Sequence, residues 1–250
     1  MKGLTRISEA GAPHAPLLDY YHAPQARAGF VRDLFDRTAH SYDRINGVLS
    51  FGSGGWYRRK ALQRAGLKPG DRMLDVAAGT GLVAREGLAI LGRPADVIGL
   101  DLSLGMLGEA RRALPIPLIQ SRAEELPLAD ASVDFVSMGY ALRHVTDLGL
   151  LFAEFRRVLR PGGRVLVMEI ARPESRLGYA LVKAYVGRVV PALSRLLGQD
   201  SRTLMRYYWD TIDACVPPAE ILRQLGEAGL QDVACDTQLG AFRAYMARRA

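Results

Sequence analysis

Five short apolar runs punctuate the middle of the chain, at residues 73–77, 97–100, 115–119, 133–138 and 164–170. Unbroken runs of this length are the pattern of strands buried on both faces. Between them, residues 82–91, 103–113 and 148–159 space their apolar side chains three and four positions apart, as an amphipathic helix does. Ser103 stands where it can N-cap the second of these helices. Strand and helix in alternation predict a parallel sheet covered by helices on both sides, an α/β fold. Upstream, Phe30, Val31, Leu34 and Phe35 share one helical face from Ala26 onward. Residues 38–51 mix polar and aromatic side chains, a composition suited to a cap over a ligand. A further helix runs from about Trp56 to Ala65, with Arg58, Arg59 and Lys60 in its middle, and residues 66–70 end it. Downstream, residues 177–197 form an apolar helical stretch that Pro191 should kink or divide. Residues 203–215 form an aromatic-rich helix, and Pro217-Pro218 opens a last helix at 219–228. Two strands follow, around Val233 and Tyr245.

These elements divide the chain into a loose arm at 1–25, pinned by Tyr20 and Tyr21, and one domain at 26–250. Within the domain lie a helical cap (26–70), a ligand-binding core (71–170), a helical lid over the acceptor (171–216), and a closing helix with a strand hairpin (217–250).

The first apolar run stops at Gly79-Thr80-Gly81, and a helix follows at once. A glycine turn between a strand and a helix N-terminus lets a ligand approach the backbone and offers it unpaired N–H groups. About twenty residues on, the second strand ends in Asp101, a carboxylate able to hold both hydroxyls of a ribose. Residues 79–84 also satisfy the dinucleotide fingerprint. Asp75, at the carboxyl end of the first strand, argues against a pyrophosphate there and for a cation such as the amino group of a methionine moiety. The expected ligand is therefore S-adenosylmethionine (SAM) rather than NAD.

Composition narrows the picture. The chain has 250 residues, 49% of them hydrophobic and 24% charged, enough for one domain with a full core. The formal charge of +7 is mostly arginine and is spread along the chain rather than blocked, which favours arginine-rich usage over a nucleic-acid surface. Two cysteines, Cys215 and Cys235, make no disulfide framework, and no cluster has metal-ligand spacing, so no metal is expected. The first 24 residues lack a signal-peptide core, and no apolar run is long enough to span a bilayer. The expected location is cytoplasmic, with peripheral membrane contact through 177–197 and a homodimer both left open.

A family resemblance then emerges. Asp75-Val76-Ala77-Ala78-Gly79-Thr80-Gly81, Asp101, Ala123-Glu124-Glu125-Leu126-Pro127, Leu142-Arg143-His144-Val145-Thr146-Asp147 and Leu159-Arg160-Pro161-Gly162-Gly163 resemble class I SAM-dependent methyltransferases. More narrowly, with Phe35-Asp36, Tyr42-Asp43, Asn46 and Leu49-Ser50-Phe51-Gly52 upstream, they are similar to the UbiE-type C-methyltransferases of ubiquinone and menaquinone biosynthesis. The resemblance implies a Rossmann-like seven-stranded sheet whose last strand runs antiparallel, and a quinol- or phenol-like methyl acceptor. It implies cofactor contacts from Tyr42, Asp75, Ala77, Gly79, Thr80, Gly81, Asp101, Leu102, Met106, Arg122, Ala123 and Gly139. Ala78 stands where a glycine is common in this turn, which requires a negative φ there. Arg122 stands where Asn or Asp is usual, and His144 where the quinone enzymes carry Asn. The catalytic candidates follow the fourth strand: Tyr140, Arg143 as an electrostatic anchor for a phenolate, and His144 as a base. The other acceptors weighed are an O- or N-methylated metabolite or lipid, and RNA.

Overall fold

The computed structural model describes residues 11–50, 52–189 and 199–250. The strands are β1 (Met73–Val76), β2 (Val97–Asp101), β3 (Leu118–Gln120), β4 (Val133–Gly139), β5 (Leu159–Ile170), β6 (Leu230–Gln238) and β7 (Phe242–Arg249). They form one sheet in the order β3-β2-β1-β4-β5-β7-β6. The first five run parallel, and β7 lies antiparallel to both β5 and β6. This is the helix-covered α/β sheet that the alternation predicts, with the seven strands and antiparallel last strand that the resemblance implies. Residues 160–163, which precede the apolar run 164–170, are carried within β5, and the β4–β5 register shifts between Val133 and Phe135.

Alternation along the strands supplies two cores. Leu74, Val76, Val136, Val165 and Val167 face helices α5 (Leu148–Val158) and α8 (Pro218–Glu227). Met73, Val97, Phe135, Leu166 and Met168 face helices α2 (Gly54–Arg64) and α3 (Leu82–Leu91). Helix α4 (Leu104–Ala113) begins as expected at Ser103, whose hydroxyl accepts the Met106 N–H at 3.0 Å.

A third apolar cluster lies off the sheet. It joins helix α1 (Arg27–Ser50) to helix α7 (Gln199–Ala214) through Val31, Leu34 and Ile45 against Leu204, Tyr207, Tyr208 and Ile212. Helix α6 (Arg176–Ala184) packs Tyr179 and Val182 on this cluster and continues as a π turn over Tyr185–Val189. The predicted kink at Pro191 lies outside the described residues, as do residues 1–10 of the arm and Phe51.

Two expectations change. Residues 27–50 form a single helix rather than a helix and a separate cap segment. Residues 11–25 are not loose: Gly11 and Pro13 carbonyls accept the Leu148 and Val216 N–H groups at 2.7 and 2.8 Å. The Tyr20 hydroxyl donates to Asp210, and His14 and Tyr21 are buried. Among the described residues no helix is long and apolar enough to cross a membrane.

Candidate active site

The glycine turn sits where β1 meets α3. Ala77, Gly79 and Gly81 take positive φ values of 53°, 57° and 86°, while Ala78 does not, so alanine is tolerated where a glycine is common. The left-handed conformation costs an alanine of order 1 kcal/mol, and it falls at Ala77, on the wall of the crevice. Gly81 N-caps α3, and a Cβ there would sit 2.6 Å from Leu114 Cδ1.

Asp101 ends β2 and fixes this turn from the side. Its Oδ2 accepts the Gly79 N–H and its Oδ1 the Ser103 N–H, both at 2.8 Å. Burial lifts its pKa to about 6 against those two backbone donors. Asp101 lines a cavity with Ala77, Gly79, Leu100, Leu102, Met106, Arg122, Ala123 and Gly139 on one side. On the other side stand Ala28, Val31, Phe35 and Tyr42 of α1, and Tyr140, His144 and Thr146 of the loop after β4. Gly139 is needed at this wall because a Cβ would lie 2.6 Å from Val83 Cγ2. A smaller adjoining cavity shares Tyr42, Ala77, Gly79, Gly139 and Tyr140 and adds Arg58, Thr80 and Val83.

Nearly every residue named from the sequence therefore lines one of two joined cavities. Asp75, Gly81 and Arg143 do not. Asp75 points to the α3 face of the sheet, beside its register partner Ser137, whose hydroxyl donates to Asp75 Oδ1 at 2.6 Å. Its other oxygen has no hydrogen-bond partner among the described residues, and complete burial lifts its pKa to about 7. The reading that Asp75 faces a ligand cation directly is corrected: strand alternation puts it behind the turn.

Arg143 is likewise fully buried. Its guanidinium pairs with Glu169 of β5, donates from Nε to Thr211 Oγ1 at 3.1 Å, and lies 3.9 Å over the Tyr208 ring. It is an internal ion pair tying β5 to α7, not a group at the cavity surface.

His144 does face the cavity. Its ring stacks on Tyr207 at 5.5 Å and meets the edge of Phe35 at 5.3 Å. Both ring nitrogens are shielded from solvent and have no hydrogen-bond partner among the described residues. Burial, then the charges of Arg143 and Arg27, push its pKa well below the ordinary imidazole value. Tyr140, at φ 61°, has its phenol pushed well above the ordinary value by burial.

Three further residues act here that the sequence did not assign to the site, although Asp36 and Asp43 stand in the segments that carry the resemblance. Asp36 of α1 accepts the Ser103 hydroxyl and the Gly105 N–H at 2.5 and 2.9 Å, so α1 caps α4 from outside. Asp43, seven residues along α1, accepts the Thr80 hydroxyl at 2.5 Å. Arg58 of α2 is 7% exposed, makes no ion pair among the described residues, and has an unpartnered Nε.

Comparison with known proteins agrees with this geometry. The profile of the ubiE/COQ5 methyltransferase family matches residues 23–245. The chain is 37% identical over 208 residues to the ubiquinone/menaquinone biosynthesis C-methyltransferase UbiE of Syntrophotalea carbinolica, covering 81% of this chain and 86% of that one. It is 36% identical over 203 residues to a demethylmenaquinone methyltransferase of Mycobacterium sp. strain KMS, with the same coverage. Among solved structures, a SAM-dependent methyltransferase from Thermotoga maritima, described as a possible histamine N-methyltransferase, superposes with TM-score 0.64 at 21% identity. That match covers 88% of this chain and 99% of that one, and it speaks for the fold. With the sheet order, the glycine turn braced by Asp101 and a profile spanning both cap and core, the chain belongs to the ubiE/COQ5 methyltransferase family.

Proposed function

We propose that the chain transfers a methyl group from SAM to a ring carbon of an apolar, quinol- or phenol-like acceptor. The observation that carries this reading is His144. It is a partnerless imidazole on the cavity wall shared by the glycine turn and the apolar inner face of α1. The names of the relatives point to the same acceptor class.

The residues fit the cofactor. Asp101 keeps acceptor capacity beside the cavity while bracing the turn, as a ribose diol needs. Leu102, Met106 and Ala123 form an apolar wall for a flat base, with Arg122 at its edge. Gly79 has nothing within 4 Å of where its Cβ would be, so its backbone lies open to a ligand. When bound, the cofactor supplies an electrophilic methyl on a sulfonium with a good thioether leaving group.

The protein's own part is to orient, to exclude water and to manage one proton. Helix α1 roofs both halves of the cavity, held by Asp36 and Asp43. His144 stays neutral across the physiological range because burial and two nearby guanidiniums disfavour imidazolium. Neutral, it offers a lone pair that accepts a hydrogen bond from a ring hydroxyl and so enriches the ring carbon beside it, while the same burial and charges weaken it as a base. Tyr140 keeps its proton and serves as a donor, not a base. Arg143 contributes its charge from behind His144.

His144→Ala and His144→Gln test the base role. General base catalysis is worth about 10²–10⁴-fold, so turnover of a short-chain demethylmenaquinol falls by that order while cofactor affinity by calorimetry is unchanged. Unchanged turnover removes His144 from the mechanism. Label from methyl-labelled SAM recovered in a lipid-soluble ring compound supports the acceptor reading, and label in RNA or in a polar amine overturns it.

A greasy acceptor is delivered from a membrane surface, and α6 offers the matching face. Leu177 and Leu181 are 72% and 62% exposed one helical turn apart, flanked by exposed Arg176, Lys183 and Arg188.

A further inference from the structure

Arg27 opens helix α1 and is 5% exposed, yet it makes no ion pair among the described residues. A buried guanidinium ordinarily lies against a carboxylate. This one is held between two neutral acceptors. Its Nη2 donates to the Arg143 carbonyl and to His14 Nε2, both at 2.6 Å. The His14 ring is buried, and its Nδ1 donates to the Ala15 carbonyl at 2.7 Å. Burial, then the Arg27 charge, bring the His14 pKa down to about 4. The ring is therefore neutral at physiological pH, and Nε2 keeps the lone pair that Arg27 needs.

These bonds tie residues 11–21 to the loop that carries His144. The Arg143 carbonyl belongs to the peptide that joins Arg143 to His144, so Arg27 holds the backbone immediately before the His144 ring. The Gly11 and Pro13 carbonyls fasten the same segment to Leu148 and Val216. A Cβ on Gly11, at φ 94°, would lie 2.5 Å from Asp147 Oδ2, so the segment runs flush against the end of that loop. Farther along, Tyr20 meets the Tyr207 ring edge-on at 5.1 Å, and Tyr207 stacks on His144. The segment thus reaches His144 by two routes, one through Arg27 and the backbone and one through Tyr20 and Tyr207. It precedes residue 23, where the match to the family profile begins.

We propose that Arg27 and His14 are positioning residues for methyl transfer: together they set the Arg143–His144 peptide and so aim the His144 ring at the acceptor. The assignment rests on the reading of His144 given above. His144 has no polar partner of its own among the described residues, so its direction is fixed by what holds its backbone and what stacks on its ring. Helix α1 then has two parts in the site. It lines the cavity through Ala28 and Val31, and its first residue fastens the loop beside them.

Variants of the full chain test this. A displacement of about 1 Å at a reacting group costs on the order of 10²-fold in rate. Arg27→Met is expected to lower kcat for a short-chain demethylmenaquinol by about 10–100-fold and to leave the calorimetric affinity for S-adenosylhomocysteine unchanged. In the same variant the ring-to-ring nuclear Overhauser contacts from His144 to Phe35 and Tyr207 weaken. The chain has four histidines, so the His144 signal is assigned by its loss in His144→Gln. Arg27→Lys, a point charge that reaches one acceptor at a time, recovers part of the rate. His14→Gln, whose amide oxygen stands in for Nε2, keeps most of it. His14→Ala, which leaves the guanidinium in place, follows Arg27→Met and carries the comparison if Arg27→Met does not fold. An unchanged rate, a fallen rate with the His144 ring contacts intact, or an equal loss of S-adenosylhomocysteine affinity overturns the assignment. If His144→Ala itself leaves turnover unchanged, the reading of His144 fails, and the assignment falls with it.

Discussion

Asp75 shows how one side chain can be conspicuous in a sequence and mean something other than first read. Its place at a strand end near a glycine turn is right, but strand alternation turns it toward Ser137 and α3. Its folded pKa of about 7 exceeds the usual carboxylate value because burial disfavours the charge. A carboxyl in this state binds more protons folded than unfolded, so its contribution to stability falls as pH rises from about 4 to about 7. Asp75→Asn keeps the acceptor for Ser137 and removes that loss. The variant is expected to melt above the parent at pH 8, with the gap closing at pH 4. A gap that does not change with pH would show that Asp75 is not the titrating group. Gly139→Ala is expected to destabilise by about 1–3 kcal/mol, read by thermal melting, because the new methyl overlaps Val83. Asp101, Thr80 and Gly79 could be named from the sequence because they follow an apolar strand at fixed spacing, and Ala123 only through the family resemblance. Arg58 could not, because it sits in a run of three cations. Only its place in the i, i+3, i+4, i+7 stripe with Ala61, Leu62 and Ala65 marks it.

Helices α3 and α4 begin and end where their apolar spacing and caps predict, since Gly81, Gly92 and Ser103 are local signals. Helix α1 is different. Its second half looked like a separate cap segment because Thr38, Ser41, Tyr42 and Asp43 interrupt the apolar pattern. Thr38 returns its hydroxyl to the Leu34 carbonyl at 2.8 Å, and Ser41 meets Ser201 of α7 at 3.3 Å, so both are buried without breaking the helix. Asp36 and Asp43, two turns apart, reach the core at the start of α4 and at the glycine turn. A side chain capping a helix is worth about 1 kcal/mol, so Asp36→Ala is expected to lower the melting temperature by roughly 2–4 °C. The Asp36→Ala/Asp43→Ala double variant should speed amide exchange along α1 before any other helix loosens. Uniform exchange across all helices would show that the two carboxylates do not hold the roof.

The seventh strand's antiparallel run was readable only through resemblance and the sheet order not at all, since nothing local tells β7 to insert between β5 and β6. The docking of residues 11–23 was readable only as a pin at Tyr20 and Tyr21; the bonds of Gly11 and Pro13 were not, because they are backbone carbonyls meeting Leu148 and Val216. The apolar face of α6 predicts a surface behaviour. Leu177→Asp/Leu181→Asp is expected to abolish co-sedimentation with phosphatidylglycerol vesicles and to spare turnover of a water-soluble short-chain acceptor. Sedimentation equal to that of the parent would leave that face without a membrane role. The insertion of β7 has a consequence for how the protein is made. The seven strands are not assembled in the order in which the ribosome delivers them: β6 emerges with no neighbour to pair with, and β5 stays an open edge. Both wait for residues 242–249, so a nascent chain halted before them would carry two unsatisfied sheet borders and every residue of the cofactor crevice, yet lack the strand that joins them.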